Sequence, residues 1–473
     1  MKNKWLKRLF LLFLTPALLI PTALPVSAAT PAYDFEAIGS YLANEFEKAH
    51  VPGASVVIVN KEEVLFESTY GNCTSVDASF AIGSLSKSFT AMAIMQLVEK
   101  GQADLDSPIS AYLPQAPQGD RITVRQLLNQ TSGIRMYASQ DEYEITSTQG
   151  SYEYAGSNYG LLGQIIETVS GLTYEAYIEE NIFKPVSMEH SYTLLENAEG
   201  NGLIDGYRNY FGFTVKQKVT PPEPGTKAWL SIPAGYLVSS ASDIGKYLQV
   251  YLNGGAGLLS PESVDAMFYE NYDRGYNYFY GLGWQLNTNL SAPYLFHDGD
   301  VENYMTYMAI LPESEIGISI MTNTSDYLVA NSMIYNICSS VPLFMMGEQP
   351  VIYEETHYWK EHLLYDLICL AAVVISFIPL MRAQKWLRRT SRPKLRTFRY
   401  IFAAAVHLVL PTVILLLPMI LGYPMSVISG FVPDLHLILF ITAFALYGTG
   451  IYKLIRCVLN HSKHKNTAYP AAS

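Results

Sequence analysis

The chain has 473 residues, 49% of them hydrophobic and only 15% charged. That balance excludes a disordered tail, a collagen-like repeat and a small disulfide scaffold, and the length exceeds the roughly 250–300 residues at which single cores stop growing. The formal net charge of −11 speaks against nucleic-acid binding and hides a split, because Lys2, Lys4, Lys7 and Arg8 stand without an acid in residues 1–28 and residues 361–473 set many Lys and Arg against only Glu361, Asp366 and Asp434. An acidic globular part therefore lies between two basic, apolar ends.

Residues 1–28 combine a basic start, an apolar run from Leu9 to about Leu24 and the small-residue site Val26-Ser27-Ala28. This is the pattern of a secretory signal peptide cleaved before Ala29; the other reading is an uncleaved anchor. Tyr33–His50 then places Phe35, Ile38, Leu42 and Phe46 on one face, which predicts a helix. Ala54–Val59 and Glu63–Thr69 are β-branched runs around Asn60-Lys61-Glu62, which predicts a hairpin. Leu85–Lys100 is apolar at helical spacing and stops at Gly101. Val124–Gln130 and Tyr159–Gly171 read as helices, and Pro233–Ser239, Tyr280–Leu286, Tyr294–His297, Thr306–Leu311 and Ile316–Asn323 as strands. Ser332–Ser339 reads as a last helix. Strands at both ends with helices between them predict an α+β domain over residues 29–345, an antiparallel sheet flanked by helices with an inserted helical lobe. A linker over 346–362 follows.

Residues 363–456 hold three apolar runs, Leu363–Met381, Ile401–Leu421 and Leu435–Ile455, each near the roughly 20 residues that cross a bilayer. The loop between the first two, RAQKWLRRTSRPKLRTFR, is basic throughout and is expected in the cytoplasm, as is the tail 457–473. Three spans then place residues 29–360 outside the cytoplasm, on the side to which a signal peptide delivers them. The expected location is the cell membrane. In the exported part only Cys73 and Cys338 occur, expected as two free buried thiols, with a disulfide as the alternative. No Cys/His cluster has metal-ligand spacing, so neither metal nor cofactor is expected.

The chemistry begins at Ser84-Leu85-Ser86-Lys87. Positions i and i+3 of a helix share a face, so the Lys87 amine is within reach of the Ser84 hydroxyl. Serine is a poor nucleophile without an adjacent base, and a lysine serves as one when burial lowers its pKa. The same spacing recurs at Ser391–Lys394 and Ser462–Lys465, in the basic loop and the tail, where context marks it as chance. Ser84, by contrast, follows a hairpin and opens an apolar helix. There its own N–H can hold an oxyanion.

The segment GSLSKSFTAMAIMQLVEKGQADLDSPISAYLP resembles the active-site region of the serine β-lactamase/penicillin-binding-protein superfamily, in particular its class C-like esterases and D-amino-acid peptidases. Further blocks follow in the expected order: ITVRQLLNQTSGI, SYEYAGSNYGLLGQIIETVSG, PAGYLVSSASDIGKYL, YGLGW and HDGDVENYMTYMAILPESEIGISIMTN. The resemblance implies that Ser84 is the acylated nucleophile, Lys87 its base or proton relay, and Tyr154 the shuttle to the leaving group, with a pKa lowered by Lys87. It implies a third motif at His297-Asp298-Gly299 on a strand lining the site. There His297 sets a donor near Tyr154, Gly299 lets substrate approach the strand, and the Asp300 N–H completes the oxyanion hole.

Three features depart from the family. Gly156 stands where relatives carry an Asn that binds substrate amide and the Lys. The loop from Thr131-Ser132-Gly133 to Tyr154 is short, which predicts a more open cleft on that side. Asp298 replaces a small or hydroxyl residue and, if it faces the cleft, repels an anionic substrate. The expectation is a membrane-anchored extracytoplasmic serine hydrolase acting on a peptide amide or ester, cell-wall-related or containing a D-amino acid. Alternatives are a prodrug-activating peptidase of the N-acyl-D-Asn type and a catalytically silent ligand-binding module; a true β-lactamase ranks last.

Overall fold

The computed structural model describes residues 33–390 and 396–466, so the expected signal peptide lies outside the described residues. Its centre is an eight-stranded antiparallel sheet in the order Val64–Gly71, Gly53–Val59, Ile316–Thr322, Tyr304–Leu311, Tyr294–Val301, Gln285–Asn287, Tyr278–Tyr280, Tyr272–Gly275. Gly53–Val59, Tyr304–Leu311 and Ile316–Thr322 are buried at every position, which is why they read as continuous apolar runs. Helices cover both faces. Val57 and Val59 meet Gly245 of the helix Ala241–Leu252, while Tyr307 on the other face packs against Tyr335 of the helix Asn331–Met345. The helical lobe is inserted between Ser79–Ala81 and the second half of the sheet, with Gly156–Ser170 as its central helix, ended by Gly171 at φ 74°. Cys73 and Cys338 are buried free thiols.

Two expected strands take a different form. Pro233 falls in the first turn of a short helix, Ile232–Gly235, where proline's fixed φ and missing N–H suit a helix start, and the strand is only Val238–Ser240. Tyr280–Leu286 is two strands, because Gly283 at φ +83° reverses the chain and Gly281 N–H bonds to the Trp284 carbonyl. A Cβ at Gly283 would lie 2.6 Å from the Ala91 side chain and 3.2 Å from the Lys87 carbonyl, so this turn is pressed onto the Ser86–Glu99 helix.

Among the described residues three helices are long and apolar enough to cross a membrane: His357–Met381, Thr397–Ile420 and Pro433–Asn460. The first begins inside the expected linker, and its Tyr358 hydroxyl donates to the Gly212 carbonyl at 3.0 Å and accepts from Asn209 at 2.6 Å. The last helix continues to Asn466, into the expected tail. Between the second and third lies a short helix, Met425–Phe431.

Candidate active site

Ser84 sits in a tight 3-10 turn, Gly83–Leu85, directly before the helix Ser86–Glu99. That helix is almost wholly buried, and Ser84 is the position that opens to the cleft. The expected i, i+3 geometry is present: Lys87 Nζ donates to Ser84 Oγ at 2.9 Å and to the Ala234 carbonyl at 2.6 Å. Lys87 has no exposed surface. Burial pulls its pKa down to about 7, against the opposing pull of the Asp298 carboxylate. The amine is therefore able to lose its charge, and to accept a proton, far below the ordinary lysine range.

Tyr154 faces the same pair. Its ring centroid is 4.6 Å from Lys87 Nζ, and the Ser84 hydroxyl beside it works to lower its pKa. The expected lowering of its pKa is not found: burial, with the neighbouring Tyr280 phenol, holds it well above the ordinary tyrosine value. Tyr154 thus keeps its proton.

The third motif lies on the strand Tyr294–Val301. The neighbouring Gln285–Asn287 pairs only Tyr294, Leu295 and Phe296, so the strand's edge from His297 onward is left to the cleft. Two glycines lock that edge to the nucleophile turn. A Cβ on Gly299 would fall 2.1 Å from the Ile82 carbonyl oxygen, and one on Gly83 2.5 Å from Asp300 N. Gly299 therefore permits the close contact between strand and turn. The result is that the Asp300 amide stands beside the Ser84 turn, as an oxyanion hole requires. The Asp300 side chain turns away, to Ser325 and Asn331 at 2.8 Å each, and burial raises its pKa to about 7.

His297 behaves differently from the expectation. Its Nδ1 donates to the Asp298 backbone carbonyl at 2.7 Å, and its Nε2 accepts from the Tyr280 hydroxyl at 3.2 Å. Its one N–H is thus used within the strand. Burial lowers its pKa to about 4, so the ring is neutral. Tyr280 stands between it and Tyr154, with ring centroids 5.9 and 6.1 Å away respectively. His297 therefore meets Tyr280 and its own strand, and donates nothing to Tyr154.

Gly156 opens the helix Gly156–Ser170, and a Cβ there would be 2.2 Å from the Trp229 carbonyl oxygen. The slot for an asparagine side chain is filled by backbone, and the Ala234 carbonyl supplies an acceptor for Lys87 instead. Asp298 does face the cleft, where it accepts from Gln285 Nε2 at 2.9 Å. Arg274 donates to the other end of Gln285 and lies 4.4 Å from the Tyr152 ring centroid. Arg274, Gln285 and Tyr152 are site residues that sequence reasoning missed, as are Trp229, Val427 and Phe431, which line the same cavity of about 550 Å³. Among the described residues no group of three or more His, Cys, Asp and Glu could hold a metal ion.

An antiparallel sheet with an inserted helical lobe, carrying Ser and Lys at the start of one helix opposite a strand with a free edge, defines the β-lactamase/transpeptidase fold. The profile of the Beta-lactamase family matches residues 38–336, and the chain belongs to that family. It is 26% identical over 330 residues to protein flp of Staphylococcus aureus (strain MW2), covering 62% of this chain and 64% of that one. It is 34% identical over 221 residues to the putative penicillin-binding protein PbpX of Bacillus subtilis (strain 168), covering 44% and 53%. The octameric penicillin-binding protein homologue from Pyrococcus abyssi superposes with a TM-score of 0.58 at 27% identity, covering 67% of this chain and 78% of that one. The chain thus spans less than two thirds of the length of these curated relatives.

Proposed function

We propose that this protein is a membrane-anchored extracytoplasmic hydrolase that cleaves a peptide amide or ester through an acyl-enzyme on Ser84, on a cell-wall-related or D-amino-acid-containing substrate. One observation carries the reading: the buried Lys87 amine, held near neutrality, is bonded to Ser84 Oγ. Ser84 Oγ attacks the carbonyl carbon and its proton passes to Lys87. The Ser84 and Asp300 amides hold the developing oxyanion. The bond to the leaving group breaks, and the proton held by Lys87 returns to that group through the Tyr154 hydroxyl. Water then attacks the ester and restores Ser84. Positioned acid–base groups of this kind supply about 10²–10⁴-fold each.

The three apolar helices support an anchor, and the basic loop 382–399 supports an active site outside the cytoplasm. The Asp298 carboxylate in the cleft favours neutral or cationic groups next to the scissile bond and disfavours β-lactam carboxylates. The filled slot at Gly156 favours a second reading, a ligand-binding module without turnover. Intact-mass analysis of the full chain in detergent after exposure to a fluorophosphonate separates the two. One adduct on wild type and none on Ser84→Ala is expected. A folded wild type that takes no adduct points to the binding module.

A further inference from the structure

One side of the cleft comes from the membrane-spanning part of the chain. Val427 and Phe431, on the short helix Met425–Phe431, line the same cavity as Ser84 and Lys87. The helix is seated firmly on the globular domain. Phe431 packs on Tyr327 with ring centroids 5.7 Å apart, Tyr423 packs on Tyr137 at 5.7 Å, and Gly430 lies so close to Glu302 that a Cβ would be 3.2 Å from its Cγ. Its two ends run directly into the second and third apolar helices. The cleft is therefore two-poled. Arg274, Gln285 and Asp298 form a polar end, and Val427 and Phe431 face it with Met136 and Tyr327, which are still 39% and 49% exposed with the helix in place. Large apolar side chains left open beside a reactive serine mark a place for an apolar ligand group.

We propose that Met425–Phe431 forms a tail subsite, which selects an amphiphilic substrate whose polar head is cleaved at Ser84 while its acyl chain lies against Val427 and Phe431. The proposal rests on the hydrolase reading above. The occupant is a linear acyl chain because the apolar wall is continuous with two helices that belong in lipid, so a chain anchored in the outer leaflet reaches it without entering water. The polar end fits the head of such a molecule, not its tail.

The experiment uses the full chain in detergent with two fluorophosphonates, one ethyl and one dodecyl. In both, the Ser84 Oγ–P bond forms, the P–F bond breaks, fluoride leaves and the serine proton goes to Lys87. A buried methylene contributes roughly fourfold in affinity, so the dodecyl probe should label wild type at least about tenfold faster than the ethyl probe. Phe431→Ala and Val427→Ser should each remove most of that preference, with thermal unfolding midpoints in detergent reporting that both variants fold. On wild type alone, a dodecyl probe with a terminal diazirine should crosslink to the segment 425–431. A preference that is absent, or equal in both variants and wild type, or a crosslink confined to other segments, overturns the subsite while Ser84 still labels. Failure of both probes on folded wild type overturns the hydrolase reading itself, and the subsite with it.

Discussion

The Trp229 carbonyl oxygen stands where a side chain on Gly156 would begin, 2.2 Å from an ideal Cβ. The missing asparagine is therefore not a gap waiting to be filled. Gly156→Asn should not restore a family-like site. It should destabilise the protein by about 1–3 kcal/mol through overpacking and slow the labelling of Ser84, because the segment after Trp229 that must move includes Ala234, an acceptor for Lys87. Denaturant unfolding and fluorophosphonate rates on the same sample check both effects.

Acylation should rise with pH through about 7, as Lys87 loses its proton. Asp300 also titrates near 7, which would blur the profile. Asp300→Asn, which keeps hydrogen-bonding capacity toward Ser325 and Asn331, should leave a single step due to Lys87. Lys87→Met should reduce labelling by about 10²–10⁴-fold and abolish the step. A full pH–rate profile of each variant decides the assignment.

The same two groups act oppositely on stability. Lys87 holds its proton to about 10.5 when unfolded but only to about 7 when folded. The unfolded chain therefore binds more protons across that window, and stability rises with pH through it. Asp300 holds its proton to about 7 when folded but only to 3.8 when unfolded, so its contribution is full below 3.8 and is lost as pH rises to about 7. Lys87→Met should therefore raise stability at pH 7 and flatten the curve above it. Asp300→Asn should raise stability at pH 8. Urea midpoints at pH 5, 7 and 9 give the signs.

Asp298 faces Lys87 and the cleft, and its charge holds the lysine pKa up. Asp298→Asn should shift the acylation step to lower pH. It should also increase acylation by an anionic penicillin at least about tenfold, the equivalent of 1.4 kcal/mol of removed repulsion. Labelling by a neutral ester should change much less. Competition between the two reagents reads the difference directly.

Tyr154 and Tyr280 are both phenols in the site, yet Tyr154 lies against Lys87 while Tyr280 bonds His297. Tyr154→Phe should cut turnover by about 10²-fold or more. Tyr280→Phe should cost under about tenfold, since its hydroxyl is bonded to His297 and not to Ser84. Steady-state kinetics on one ester substrate separate the two roles.

Much of this site is readable along the chain, because its chemistry is local. Ser84 and Lys87 meet through the period of one helix, and the His297–Asp300 run follows the alternation of one strand. The sheet core is legible for the same reason, as its central strands are unbroken apolar runs. What escaped depends on encounters between distant segments. Arg274 reaches the cleft only because Gly283 turns the chain and sets Gln285 beside Asp298. The close approach of Gly299 to the Ile82 carbonyl is invisible in the sequence because the two are more than 200 residues apart. The donor expected of His297 vanished into its own backbone, a bond that no spacing rule reveals.

Val427 and Phe431 line the cavity that holds Ser84, so the C-terminal region shapes the cleft. A secreted fragment ending before His357 would have one flank of its cleft stripped away, a trough where the whole protein has a slot. Inhibitors ranked on such a fragment would be ranked against a different shape, and compounds built to press against that missing flank would be discarded as inactive.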